Sequence, residues 1–292
     1  MTAAFDLQCH STKSDGKLPP AQVMEHAAAD GVELVALTDH DTVEGVPEAR
    51  EAARRLGMAF SPAAEISAVA GVHEDLHVCG YELDVTNATL TDALADFRAD
   101  RQRRVEAIAD RLEELGFAVD RTILEQRRAQ GLPIGRPHIA DSVLSNPANQ
   151  ERLKAEGTTD KNTFFPAYIV PGAKAFVART RPTVQNAIEV IHAAGGVAIW
   201  AHPFWDIADA DEVLRTIDAF AAAGLDGVEV FYATYTEAQT RLLHEHCSAK
   251  GLLITGSTDF HAPDHERFGR FRGFDTHGLE PDLGPIGAAA RA

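Results

Sequence analysis

The stretch FDLQCHSTKSDG at residues 5–16 decides the fold of this 292-residue chain. It opens with a short, largely apolar run over 5–9, and the polar residues His10 and Asp15 follow. A strand that ends in metal-ligand side chains is typical of parallel α/β proteins, because the carboxyl ends of such strands meet at one edge. The stretch therefore predicts a first strand whose end contributes to a functional site.

The same arrangement recurs further along the chain. Five later segments end an apolar run in acidic or histidine side chains: VALTDHDT at 35–42, SPAAEIS at 61–67, DLHVCGY at 75–81, AIWAHP at 198–203 and ITGSTDFH at 254–261. If these runs are neighbouring strands, their ends bring together residues that are far apart in sequence. This repetition indicates a site for more than one metal ion.

Strand-like runs alternate with amphipathic helix patterns over most of the chain. The predicted strands are 5–9, 32–38, 58–64, 76–81, 197–201, 227–231 and 252–257, and the predicted helices between them are 20–30, 43–56, 183–194, 210–223 and 236–250. This alternation predicts an α/β fold with a parallel sheet and helices outside. About seven strands favour a closed or nearly closed, distorted (β/α)7 barrel.

The alternation stops between about 90 and 180. There the pattern predicts helices at 90–115, 120–130 and 137–145, followed by a polar loop region. We therefore expect a barrel built from 1–89 and 182–292, with 90–181 inserted as a mainly helical cap. Basic residues outnumber acidic ones from Arg98 to Arg181, although the whole chain carries a net charge of −17. A basic segment in an acidic protein suggests a local surface for anions.

Composition excludes several classes of protein. The acidic net charge of −17 argues against binding to duplex DNA. No apolar stretch is long enough to span a membrane, and the N-terminus lacks a secretion-signal pattern, so we expect a cytoplasmic protein. The three cysteines show no C-x-x-C pairing, which argues against a disulfide framework or a structural zinc site.

Carboxylates, imidazoles and one amide at the predicted strand ends are the candidate metal ligands. They are Gln8, His10, Asp15, His40, Glu65, His77, His202, Asp259 and His261. A single histidine near a strand end is more often a structural residue, but nine ligand-type residues at six strand ends point to metals. Asp39 and Asp41 flank His40 and are expected to orient imidazoles. His73 competes with His77, which we prefer because it lies within the apolar run.

These motifs and their order resemble the PHP (polymerase and histidinol phosphatase) superfamily of metal-dependent phosphoesterases. The resemblance runs from residue 5 to 261 and includes GRPHIA at 135–140 and AGGVAIWAHP at 194–203. It is strongest with the branch of nucleoside 3′,5′-bisphosphate phosphatases, 5′–3′ exoribonucleases that act on short RNA, and cyclic sugar-phosphate hydrolases. Gln8 departs from the family pattern, which has a His–x–His pair at this position.

The resemblance implies a role for each candidate residue and two or three Mn, Fe or Zn ions. One ion would be held by His10, Glu65, Asp259 and whatever Gln8 provides; a second by Asp15, His40 and His261 with Glu65 bridging; a third by His77 and His202. With two ions bound, His202 would instead protonate the leaving group. Arg136 and His138 would bind the substrate phosphate, for which the planar guanidinium is suited.

The chemistry of such a site fits this role, because a hydroxide that bridges two metals attacks phosphorus near neutral pH. We expect a phosphomonoesterase acting on a nucleoside 3′,5′-bisphosphate, a short 5′-phosphorylated RNA or another small phosphorylated metabolite. The alternatives, in order, are a cyclic sugar-phosphate phosphodiesterase, a histidinol-phosphate-type phosphatase and a non-catalytic metal-binding module. A metal-dependent amidohydrolase is disfavoured, because no predicted barrel strand contains or ends in a bridging Lys.

Overall fold

Two sheets carry the strands found in residues 4–129 and 134–288, the part of the chain that the computed structural model describes. The first sheet contains β1 (Phe5–Asp6), β2 (Leu34–Leu37) and β3 (Ala59–Pro62), and the second contains β4 (Ala64–Ala70), β5 (His73–Tyr81), β6 (Val197–Trp200), β7 (Gly227–Tyr232) and β8 (Leu253–Ser257). The predicted α/β class is confirmed. A closed barrel is not confirmed, because the strands form these two sheets.

The strand directions correct the prediction of a wholly parallel sheet. All pairs in the first sheet are parallel, as are β6–β7 and β7–β8. The pairs β4–β5 and β5–β6 are antiparallel. The strand β4 was not predicted, because its residues follow β3 almost directly. Instead of a crossover helix, a tight turn at Gly71, whose φ is +58°, joins it to β5 as a hairpin.

The two sheets are joined by backbone contacts near the ends of their strands. An isolated parallel bridge pairs Cys9 with Phe260, where the His10 N–H donates to the Phe260 carbonyl at 2.8 Å. A second bridge pairs His40 with Glu65. The bridges lie at the positions where the sequence placed metal ligands, so they bring the ligands of both sheets together.

The helices follow the predicted order, with some additions in the middle of the chain. They are α1 (Pro20–Ala29), α2 (Val46–Arg55), α3 (Ala88–Glu114), α4 (Arg121–Ala129), α5 (Arg136–Leu144), α6 (Gln150–Glu156), α7 (Lys161–Phe164), α8 (Val184–Ala193), α9 (Pro203–Asp206), α10 (Ala210–Ala222) and α11 (Glu237–Lys250). The helices α6 and α7 correct the prediction of a polar loop after residue 145. Asp160 explains α7, since its carboxylate accepts the Thr163 N–H at 3.0 Å as an N-terminal cap.

The chain divides into two compact units. One comprises Met1–Ala95 with Pro182–Ala292, and the other comprises Asp96–Arg181. Their boundaries lie close to the expected insertion at 90–181. The sheets and all candidate metal ligands belong to the first unit, whereas the second is helical and carries GRPHIA at the start of α5.

Each unit has its own apolar core. In the first unit, α1 and α2 pack their apolar faces on β2 through Val23, Met24 and Leu37. In the second unit, Phe117, Phe164 and other apolar side chains of its helices form a separate cluster. No helix in the described part of the chain is both long and apolar enough to cross a membrane.

Candidate metal centre

The Glu65 carboxylate lies at the centre of four imidazoles. It is fully buried on β4. Its Oε1 atom lies 2.7 Å from His77 Nδ1 and 3.2 Å from His202 Nε2. Its Oε2 atom lies 3.1 Å from His10 Nε2 and 3.4 Å from His40 Nδ1. Each oxygen therefore faces a different pair of imidazoles, as a carboxylate that bridges two ions would.

Asp15 closes the side of the cluster that is nearer to solvent. Its Oδ2 atom lies 3.5 Å from His40 Nε2, and its Oδ1 atom lies 3.7 Å from His261 Nε2. The loop that carries Asp15 turns back sharply at Gly16, where a Cβ atom would collide with the His10 carbonyl. Glycine at this position therefore allows the SDG segment to return toward the strand ends.

Asp259 joins the cluster from the end of β8. Its Oδ1 atom lies 3.0 Å from His10 Nε2, and its Oδ2 atom accepts the Tyr232 hydroxyl at 2.9 Å. Asp259 and His202 both have left-handed backbone conformations, with φ of 61° and 32°. Such conformations are costly for residues with a Cβ atom and concentrate at functional sites.

Three groups of ligand atoms are each close enough to hold one ion. They are His10 with Asp15 and His261, His10 with His40 and Glu65, and Glu65 with His77 and His202. The last group matches the third ion implied by the resemblance. The first two groups differ from the ligand sets that the resemblance implies, because His10 belongs to both of them.

The buried polar atoms of this cluster fit metal ions. His10 Nε2, His40 Nδ1, Glu65 Oε2 and Asp259 Oδ1 are buried, and although they lie close to one another, none makes a well-aligned hydrogen bond within the described part of the chain. A buried polar atom without a partner is costly, so native proteins pair such atoms with protein groups, water or ions. Imidazole nitrogens and carboxylate oxygens that converge in this way suit Mn, Fe or Zn.

The charges of the cluster also favour a cation. Burial alone would raise the pKa of Glu65, yet the surrounding histidines hold it well below its usual value. Burial also opposes protonation of His77, but the Glu65 carboxylate outweighs it and raises the His77 pKa to about 9. For His40 burial dominates, and its pKa falls to about 4. Protons on some imidazoles thus balance the carboxylates, and divalent ions compete for the same atoms.

Gln8 is fully buried next to this cluster. Its Oε1 atom lies 3.4 Å from the Ser257 hydroxyl, and its Nε2 atom has no hydrogen-bond partner among the described residues. The Ser257 hydroxyl also donates to the Glu229 carboxylate. The Gln8 side chain therefore contacts a buried polar pair, Ser257 and Glu229, that the sequence did not single out.

Several predicted residues act differently from the expectation. Asp39 does not hydrogen-bond to an imidazole among the described residues; it accepts the backbone and side-chain groups of Ser11 and the Ser14 hydroxyl, all at 2.7 Å, and so holds the metal-site loop. Asp41 accepts the Ser67 N–H at 3.1 Å. His73 begins β5 rather than lying in a turn, and it contacts Glu212.

Residues of the site that the sequence did not reveal are mostly uncharged or aromatic. A cavity of about 220 Å³ opens above the cluster and is lined by four such residues together with candidate ligands: Asp15, His40, Glu65, His77, His202, Trp205, Tyr232, Asp259, His261, His265 and Phe268. Among the residues that were not predicted, Glu229 had a clear sequence signal, because it is an acid inside the apolar run GVEVFY of β7.

Arg136 and His138 both lie in the first turn of α5, in the second unit. His138 Nδ1 accepts the Gly135 N–H at 3.1 Å, which caps the helix. Burial, followed by the charge of Arg127, lowers the pKa of His138. Their expected role in phosphate binding stays a prediction.

Comparison with known proteins identifies the family. The PHP domain model matches residues 6–246. A 5′-3′ exoribonuclease of Haemophilus influenzae is 34% identical over 266 residues, which cover 90% of this chain and 92% of the relative. A 3′,5′-nucleoside bisphosphate phosphatase of Chromobacterium violaceum is 32% identical over 261 residues, which cover 89% of this chain and 88% of the relative.

Solved structures share the fold over nearly the whole chain. A Chromobacterium violaceum protein described as an amidohydrolase, with sulfate bound and no metal, superposes with a TM-score of 0.74 at 30% identity and covers 97% of this chain and 93% of its own. A Bifidobacterium adolescentis protein assigned as a metal-dependent phosphoesterase superposes with a TM-score of 0.71 at 27% identity, covering 97% and 94%. The family match and the curated relatives favour phosphoester over amide hydrolysis. The chain belongs to the PHP domain family and is a metal-dependent phosphoesterase.

Proposed function

We propose that the protein removes a phosphate from a nucleoside 3′,5′-bisphosphate or from short 5′-phosphorylated RNA. The observation that carries this proposal is the convergence of buried, unpartnered ligand atoms around Glu65, beneath an open cavity. The names of the two curated relatives support this substrate class.

The proposed ligands are the eight residues of the cluster, with Gln8 as a neutral neighbour. They hold two or three Mn, Fe or Zn ions: His10, Asp15, His40, Glu65, His77, His202, Asp259 and His261. When bound, such ions activate water and neutralise the charge that grows on the phosphoryl oxygens. The protein supplies a rigid carboxylate at Glu65 and excludes water from the side of the cluster that is buried.

His202 is the proposed proton donor to the leaving group when two ions are bound. It is buried at the floor of the cavity. Burial disfavours its charged form, but the hydrogen bond that its Nε2–H donates to the Glu65 carboxylate outweighs burial and raises the His202 pKa above its usual value. A raised pKa favours the protonated imidazole, which can transfer a proton from Nε2 to a departing alkoxide.

Arg136 and His138, at the start of α5, complete the proposal as groups that bind a substrate phosphate. Arg136 offers paired N–H donors, which lysine lacks. Arg136→Lys is therefore expected to lower kcat/KM by roughly tenfold or more. Arg128→Lys is the matched control, since Arg128 belongs to the same unit and pairs with Glu106.

A substrate panel tests the proposed function. The protein is stripped with EDTA, reloaded with Mn, Fe or Zn, and assayed on nucleoside 3′,5′-bisphosphates, 5′-phosphorylated dinucleotides, a cyclic sugar phosphate and histidinol phosphate. We expect turnover of the first two classes only after metal is restored. Preferred hydrolysis of either of the last two would replace the proposed substrate, and no turnover with any metal would refute catalysis.

The role of His202 is tested with two leaving groups. His202→Asn is expected to lower kcat on an alkyl phosphate by about 10²–10⁴-fold. The loss should be far smaller on p-nitrophenyl phosphate, whose leaving group departs without a proton. Equal losses on both substrates would show that His202 serves only as a metal ligand. His244→Asn is the control, since His244 lies on α11 and contacts the Glu280 carbonyl.

A further inference from the structure

Trp205 is an exposed aromatic residue at the mouth of the cavity. Half of its surface is accessible to solvent, whereas Trp200, the other tryptophan of the chain, is fully buried. Leu56 and Val72 are also large, apolar and exposed, but they do not line this cavity. An exposed indole beside a catalytic cavity is a candidate contact for substrate, because a flat apolar surface gains stability when it is covered.

The position of Trp205 is fixed by the chain around it. It lies in the short helix α9, three residues after His202, and its backbone N–H donates to the His202 carbonyl at 2.8 Å. On one side its ring packs edge-on against Phe268, with ring centroids 5.7 Å apart. A tryptophan whose role was only to pack on Phe268 would be expected to be buried. Half of the Trp205 side chain instead stays accessible to solvent.

Aromatic rings continue from Trp205 down to the ligand cluster. Phe268 lies 6.0 Å from Tyr232 and 5.9 Å from His261, measured between ring centroids. The Tyr232 hydroxyl donates to Asp259. One wall of the cavity is therefore aromatic from the metal ligands to the rim, whereas Asp15 supplies a carboxylate elsewhere in the lining.

We propose that Trp205 and Phe268, with His265 beside Phe268 at 5.0 Å, form a stacking surface for the nucleobase of a substrate whose phosphate lies at the ligand cluster. The inference rests on the proposed function and deepens it. Every nucleobase has a π-face, so stacking on aromatic rings tolerates different bases. It also requires no positive charge, which suits an acidic protein. The surface would favour nucleotides over phosphorylated sugars that lack a base.

Substitution of Trp205 tests the stacking surface through substrate preference. The measured quantity is the ratio of kcat/KM for adenosine 3′,5′-bisphosphate to kcat/KM for ribose 5-phosphate, which lacks a base. Trp205→Ala should lower this ratio about tenfold, mainly through a higher KM for the nucleotide. Trp205→Phe should restore most of it. Val72→Ala, which removes a different exposed apolar side chain, should leave the ratio unchanged.

Fluorescence provides a readout that needs no turnover. In EDTA, adenosine 3′,5′-bisphosphate should quench the emission of Trp205, while ribose 5-phosphate should not. The quench should disappear in Trp205→Phe, where only the buried Trp200 still emits. A ratio unchanged by Trp205→Ala, or equal quenching by the two compounds, would overturn the stacking surface. Absence of turnover with every metal, together with a base-dependent quench, would instead refute the proposed function and support the base site.

Discussion

The Glu229 carboxylate accepts the backbone N–H of His202 at 2.9 Å, from the neighbouring strand β7. His202 has a left-handed backbone with φ of 32°, and its imidazole faces Glu65. A strained conformation persists only where surrounding contacts hold it. Glu229, which is buried and also accepts the Ser257 hydroxyl, provides such a contact. We therefore regard Glu229 as a residue that positions His202.

Removing this contact should impair turnover more than substrate binding. Glu229→Ala leaves the buried His202 N–H and the Ser257 hydroxyl without an acceptor, which is expected to cost about 1–3 kcal/mol of stability per group. We expect kcat to fall at least tenfold with a smaller change in KM, and Glu229→Gln to retain more activity because one acceptor oxygen remains. Steady-state kinetics and thermal unfolding measure both effects. A KM increase with unchanged kcat would contradict a positioning role.

Gln8→His tests the position at which the chain departs from its family. The Gln8 amide is buried, and its Nε2 atom has no hydrogen-bond partner within residues 4–129 and 134–288, so the substitution removes no bond made by that atom to this part of the chain. An imidazole is a stronger ligand than a neutral amide. We expect unchanged activity and equal or higher metal affinity, measured by titration of the EDTA-treated protein with Mn²⁺ or Zn²⁺. Loss of both activity and affinity would show that Gln8 has a specific role of its own.

The clustering of the candidate ligands could be predicted from the sequence because the signal is local. Each lies directly after or within an apolar run, and the parallel connections then bring His10, His40 and Asp259 to one edge. The hairpin of β4 and β5 could not be predicted in this way, since its antiparallel pairing depends on the other sheet strands. For the same reason Glu65 was expected at the end of a strand, whereas it lies inside β4. The aromatic wall was equally hidden, because an exposed tryptophan has no sequence pattern of its own.

The metal-free protein should lose stability as the pH rises from about 6.5 to about 9. Glu65 raises the pKa of His77 from 6.5 to about 9, despite the opposing effect of burial. The folded state therefore binds this proton more tightly than the unfolded state does. Its stabilising contribution is complete below pH 6.5 and is lost as the pH passes through 9. The free energy of unfolding should fall by an amount on the order of 3 kcal/mol through the titration of His77.

Thermal unfolding in EDTA at pH 6 and pH 9 measures this effect. His77→Gln should reduce the dependence, because one of the titrating groups is gone. Saturating Mn²⁺ should also reduce the fall, since metal binding requires deprotonated imidazoles and strengthens with rising pH. A metal-free protein that became more stable toward pH 9 would contradict the assignment of a proton to His77.

Asn149 should be critical for the stability of the second unit, although it lies far in sequence from every candidate ligand. Its buried side chain accepts the Ala118 N–H at 2.9 Å and donates to the carbonyls of Ala118 at 2.8 Å and Val143 at 2.9 Å. Asn149→Ala leaves these backbone groups without partners and should cost about 2–3 kcal/mol. Asn162→Ala, at an exposed position of the same unit, should change stability by less than about 0.5 kcal/mol. Urea unfolding followed by circular dichroism compares the two variants, and equal midpoints would show that the three hydrogen bonds contribute little.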